Sequence, residues 1–139
     1  VGRDEHGQLA VKLSDFGLAK SYETSGASGF TKTGDISGTI PYMAPEQILD
    51  FRNVRPPADL YSMGATLYHL LTGENAYNFR PQVDPLVTIL EEEIVPLAKR
   101  KPGIPPAIAA VVERAMRKDP AQRYGTADEM RLALVAAIA

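Results

Sequence analysis

The run Gly38-Thr39-Ile40-Pro41-Tyr42-Met43-Ala44-Pro45-Glu46, with Asp59-Leu60-Tyr61-Ser62-Met63-Gly64 behind it, decides the fold of this chain. Pro45 and Glu46 open a short helix that runs through Ile48 and Leu49 to about Phe51. From Ala58 to Thr72, apolar side chains at Leu60, Tyr61, Met63, Leu67, Tyr68, Leu70 and Leu71 wrap most of a helical circumference. A helix that is apolar all round belongs in the centre of a protein. Gly73 is placed to stop it, and Gly64 in its interior costs about 1 kcal/mol against Ala unless a neighbour packs closely there.

Upstream, the residues from Ser21 to Gly38 are dominated by Gly, Ser and Thr, with Phe30 and Ile36 among the few large apolar side chains. Such a composition buries too little surface to offset its ordering entropy and predicts a mobile loop. Before it, Leu9, Val11 and Leu13 alternate with Gln8, Ala10, Lys12 and Ser14, the period of a half-buried strand, and Asp15-Phe16-Gly17 stands at the strand's exit. Asp4-Glu5-His6-Gly7 has turn chemistry, so an earlier strand is expected to hairpin into this one.

Downstream, Leu86, Ile89 and Leu90 share a face of a helix from about Pro85 to Ile94. Ile108, Val111, Val112, Ala115 and Met116 form one apolar stripe on a helix from Pro105 to Lys118. Thr126 and Glu129 have capping-box spacing and start a last helix that carries Met130, Leu134 and Ile138 inward. The basic cluster Lys99, Arg100 and Lys101 reads as a solvated loop.

A chain of 139 residues, 45% hydrophobic and 23% charged, is the size and composition of one soluble domain. A net charge of -2 gives no electrostatic reason for nucleic acid as a partner. There is no cysteine, which excludes disulfides and thiolate metal sites, and His6 and His69 are too far apart in sequence to suggest zinc. The apolar tail from Leu132 to Ala139 is far short of the roughly 20 residues of a membrane helix. A cytoplasmic location is the expectation, with any membrane anchor lying outside this segment.

Asp15-Phe16-Gly17 and Ala44-Pro45-Glu46 bracket the polar stretch, and Asp119-Pro120-Ala121-Gln122-Arg123-Tyr124 closes the pattern. In order and spacing this resembles the helical C-terminal lobe of a Ser/Thr protein kinase. The closing segment from Arg123 to Met130 is similar to that of the eukaryotic-type kinases of bacteria. The resemblance implies a mainly α fold, a C-lobe helical bundle with a short β-hairpin at its N-terminus. Residues 1–139 would be a partial kinase domain, with the activation segment at 15–46 and the helical base at 47–139.

The resemblance also implies residue roles. Asp15, with Phe16 and Gly17, would form the cofactor side of an ATP and Mg2+ site, Asp15 being the metal ligand. Gly38 and Thr39 would lie in the substrate loop, Thr39 marking Ser/Thr specificity. Thr31 and Thr33 are the favoured phosphorylation sites, with Thr24, Ser25, Ser28 and Ser37 as rivals. Glu46 and Arg123 would form an ion pair shielded from water, which suits the bidentate guanidinium fork; the bland reading is two unrelated surface charges. Asp59 has two readings, a cap complementing the helix dipole or an acceptor for the catalytic loop.

No Gly-rich phosphate loop, Val-Ala-Ile-Lys strand or His-Arg-Asp catalytic loop occurs in the 139 residues. No catalytic base is therefore assigned within the chain; it is expected before Val1, and the segment alone is expected to be inactive. The expected partners are protein substrates and the missing N-lobe. The fragment is also expected to self-associate through Leu9 to Gly38, where loss of the small lobe would uncover apolar surface near Phe16, Leu13, Leu60 and Tyr61. The competing function is a non-catalytic, pseudokinase-like interaction module. Intact Asp15 and Thr39 favour the enzyme, because a binding module needs neither.

Overall fold

The computed structural model describes residues 2–11, 39–50, 52 and 54–139, which fall in two units, one within Val1–Thr33 and one within Gly34–Ala139. In the first, strands β1 (Gly2–Arg3) and β2 (Leu9–Ala10) pair antiparallel, with Arg3 opposite Leu9. Asp4 makes the turn between them, its carboxylate accepting from the amides of His6 and Gln8, and Gly7 takes the positive φ of 75° that closing the turn requires. The expected hairpin is there. Among the described residues β2 ends at Ala10, and Val11 is exposed rather than half-buried. Residues 12–38, including the expected loop and Leu13, lie outside the described residues.

The second unit is helical: α1 (Pro45–Leu49), α2 (Pro57–Thr72), α3 (Pro85–Glu91), α4 (Leu97–Arg100), α5 (Pro106–Ala115) and α6 (Ala127–Ile138). Prolines open α1, α2, α3 and α5, where the missing N–H is no loss. Gly73 ends α2 in the left-handed conformation, φ 76°, and its N–H donates to the His69 carbonyl. Thr126 caps α6 by accepting from the Glu129 amide, while the Glu129 carboxylate reaches back to the Gly125 N–H. The reciprocal box is thus shifted by one residue on its return side.

Helix α2 is the centre of the unit. Tyr61 and Tyr68 are fully buried with Ile89, Leu97 and Val112 in one cluster, and Leu60 packs with Val111, Tyr124 and Met130 in a second beneath α6. Gly64 lets α5 come close, since a Cβ built there would lie 2.8 Å from Met116 Cγ and 3.0 Å from Ala115 Cβ. The neighbour that offsets the cost of a mid-helix glycine is therefore present.

Four expectations are corrected. α2 is not buried all round: Met63 and Leu70 are exposed, at 48% and 73%, because α5, α4 and the Ile40–Tyr42 segment that pack on it cover only part of its circumference. Leu60 and Tyr61, expected to be uncovered, are buried. On α6, Met130 is buried and Leu134 partly so, but Ile138 is 72% exposed, although Ala137 beside it in the same turn still packs on the cluster. The basic cluster is only partly a solvated loop: Lys99 and Lys101 are exposed, but Lys99 and Arg100 close α4 and Arg100 is an internal clamp. Its guanidinium donates to Glu74, to the Asn75 carbonyl and to Asn78 Oδ1.

Candidate functional site

Arg123 follows a 3-10 turn, Pro120–Gln122, that Asp119 caps by accepting from the Ala121 amide. The turn aims the side chain into the protein, where it is wholly shielded from solvent. A guanidinium carries five N–H groups, and here all five have acceptors. Nη1 donates to Glu46 Oε1 at 2.6 Å and to the Pro57 carbonyl at 2.9 Å, and Nη2 donates to Glu46 Oε2 at 2.8 Å and to the Lys118 carbonyl at 3.1 Å. Nε donates to the Arg117 carbonyl at 2.7 Å. The pair spans 77 positions of sequence. Glu46 is 28% exposed at its side chain, so the arginine is sealed and the carboxylate only partly.

A saturated guanidinium has no donor left for a phosphate or substrate, so Arg123 fastens structure. What it fastens is α1, and with it the segment before α1. There Ile40–Tyr42 forms a 3-10 turn closed by amide bonds from Tyr42 to the Thr39 carbonyl and from Met43 to the Ile40 carbonyl. Pro41 and Ala44 are buried, the Ala44 N–H is taken by Gln47 Oε1 at 2.8 Å, and the Tyr42 carbonyl accepts from Ser62 Oγ of α2 at 2.8 Å. The Tyr42 ring meets His69 edge-on, with centroids 6.2 Å apart.

Beneath the clamp lies a pair of buried tyrosines. The Arg123 guanidinium sits 5.0 Å from the centre of the Tyr61 ring, and the Tyr61 and Tyr77 hydroxyls are 2.7 Å apart. Burial pushes both phenols above the ordinary tyrosine value, Tyr61 furthest. The Lys118 ammonium lies 5.1 Å from the Tyr77 ring centre and donates to the Ile89 carbonyl of α3; burial lowers its pKa. An arginine, two tyrosines and a lysine thus link α1 to α2 and α3.

Of the residues singled out in the sequence, Glu46 and Arg123 are brought together. Thr39 is exposed at the start of the turn. Asp59 is exposed in the first turn of α2 but is not its cap, since the helix begins at Pro57 with Pro56 as cap. Asp15, Phe16, Gly17, Thr31, Thr33 and Gly38 lie outside the described residues. Among the described residues no group of three or more His, Asp or Glu could hold a metal ion, and no helix is long and apolar enough to cross a membrane. Sequence reading missed Ser62 and Tyr77, whose partners lie 20 and 16 positions away and leave no local signal.

The polar bracket, the central helix and the Glu46–Arg123 clamp together define a protein kinase lobe, and the chain belongs to the protein kinase family, whose domain model matches residues 3–133. It is 39% identical over 126 residues to the serine/threonine-protein kinase PknB of Mycobacterium tuberculosis strain H37Rv, a match covering 91% of this chain and 20% of the relative. It is 38% identical to PknB of Mycolicibacterium smegmatis, over 91% of this chain and 20% of the relative. To the serine/threonine-protein kinase PknJ of M. tuberculosis it is 36% identical over 140 residues, 99% of this chain and 23% of the relative. The chain spans about a fifth of the length of the curated relatives it matches.

Proposed function

We propose that this segment is the substrate platform of a Ser/Thr protein kinase that transfers the γ-phosphoryl group of ATP to Ser and Thr hydroxyls of proteins. The observation that carries the reading is the saturated Arg123 clamp, which spends a buried charge on fixing α1 and the exposed Thr39 turn ahead of it. In the transfer, the substrate hydroxyl oxygen bonds to the γ-phosphorus as the bond to the bridging oxygen breaks. ADP leaves with that electron pair, and the hydroxyl proton passes to a base supplied from outside this segment. Magnesium, when bound with ATP, neutralises charge on the phosphates. Asp15 is the residue proposed to hold it, a hard oxygen donor suited to a hard cation.

Thr31 and Thr33 are proposed as phosphorylation sites, where nearly two added negative charges would recruit a basic side chain. The segment alone is proposed to be inactive. The test is transfer from labelled ATP by the full-length protein to a mixed protein substrate. Phosphoserine and phosphothreonine are expected, lost in Asp15→Asn and absent with the isolated segment, and mass spectrometry should find loop phosphate within Phe30 to Thr39. A full-length protein that transfers nothing, yet captures a protein partner equally well with Asp15→Asn, would make the segment an interaction module.

A further inference from the structure

We propose that Ser62 is a positioning residue for the substrate loop, its hydroxyl setting where the Ile40–Tyr42 turn sits on the central helix; this rests on the reading of that turn as the substrate loop. Serine and threonine inside helices commonly turn their hydroxyls back onto the carbonyl four residues earlier. Thr66 and Thr72 of α2 do so, donating to the Ser62 and Tyr68 carbonyls at 2.8 Å each. Ser62, half-buried on the same helix, instead donates across 20 positions of sequence to the Tyr42 carbonyl.

The turn's two internal amide bonds shape it but do not place it on the lobe. Burial of Pro41 and the edge contact between Tyr42 and His69 set its depth, yet apolar contacts tolerate sliding, whereas a hydrogen bond has a preferred direction and length. Among the described residues, Ser62 supplies the side-chain hydrogen bond from the helical base to the main chain of Thr39 to Met43. The Glu46–Arg123 clamp holds the segment at its other end. Thr39 is exposed ahead of these two fixed points.

Ser62→Ala and Ser62→Thr in the full-length kinase test this, read by steady-state kinetics, amide hydrogen exchange and thermal unfolding. Ser62→Ala is expected to raise KM for the protein substrate about 3- to 10-fold, the worth of one net hydrogen bond, leaving kcat and KM for ATP unchanged. Exchange at the Tyr42 and Met43 amides should quicken, and Ser62→Thr, which keeps the hydroxyl, should restore both. Unchanged exchange in Ser62→Ala would overturn the tether. A fall in kcat with a rise in both KM values and a lowered unfolding midpoint would reduce Ser62 to a merely structural residue and overturn the proposal. Faster exchange with an unchanged substrate KM would leave the tether but overturn the reading of the turn as the substrate loop, and the proposal with it.

Discussion

At Arg123 a single side chain satisfies a carboxylate and three backbone carbonyls at once, so its removal strands four groups. Arg123→Ala is expected to destabilise the protein by about 3 to 5 kcal/mol in urea unfolding. Arg123→Lys should recover little of that, because an ammonium has three donors and no planar fork. Glu46→Gln should cost less, about 1 to 3 kcal/mol, since the three carbonyl bonds remain. Tyr61 and Tyr77 predict a pH dependence. Their folded pKa values lie above the ordinary 10.0, so the unfolded chain ionises first, and the stability they contribute is whole below pH 10.0 and falls as the pH rises beyond it. Lys118, held below its ordinary value, acts in the opposite sense at lower pH. Unfolding free energies measured from pH 8 to pH 11 should decline above about pH 10, and Tyr61→Phe with Tyr77→Phe should make that decline shallower, the remainder coming from Tyr68, whose phenol is likewise raised by burial.

Among the elements, the α2–α5 crossing depends most on one position. Gly→Ala in a helix usually stabilises by about 1 kcal/mol, but at Gly64 the new methyl meets Ala115 Cβ and Met116 Cγ at or inside 3.0 Å. Gly64→Ala is therefore expected to be net destabilising by about 1 to 3 kcal/mol, and pairing it with Met116→Ala should recover part of the loss. The helices were legible where periodicity and end signals agree, as with Gly73 after α2 and Thr126 before α6. α4 was not, because Leu97–Arg100 is too short to show a period and its basic residues look solvated until Glu74 and Asn78 are brought beside them. The Glu46–Arg123 pair could be placed only through the family pattern; nothing local to either residue announces a partner 77 positions away. The exposure of Met63 and Leu70 was hidden because hydropathy records what a side chain prefers, whereas the neighbours decide how much of a helix is covered.

For the helical unit as a whole, α6 acts as a cover. Its inner side closes the cluster of Leu60, Val111, Tyr124 and Met130, while Leu132, Val135 and Ile138 are exposed on its other sides. Truncation after Gly125 should expose that cluster, lowering the unfolding midpoint and raising binding of a hydrophobic dye, while unchanged values would show that α6 adds little. The buried tyrosine pair has an optical consequence. The chain has no tryptophan, so its near-ultraviolet signal is dominated by tyrosine rings, and Tyr61 is held in a chiral setting directly against the Arg123 guanidinium. Near-ultraviolet circular dichroism is therefore a label-free gauge of the clamp, and a substrate or substitution that loosens α1 from its base would register as a change in tyrosine ellipticity before the helices themselves melt.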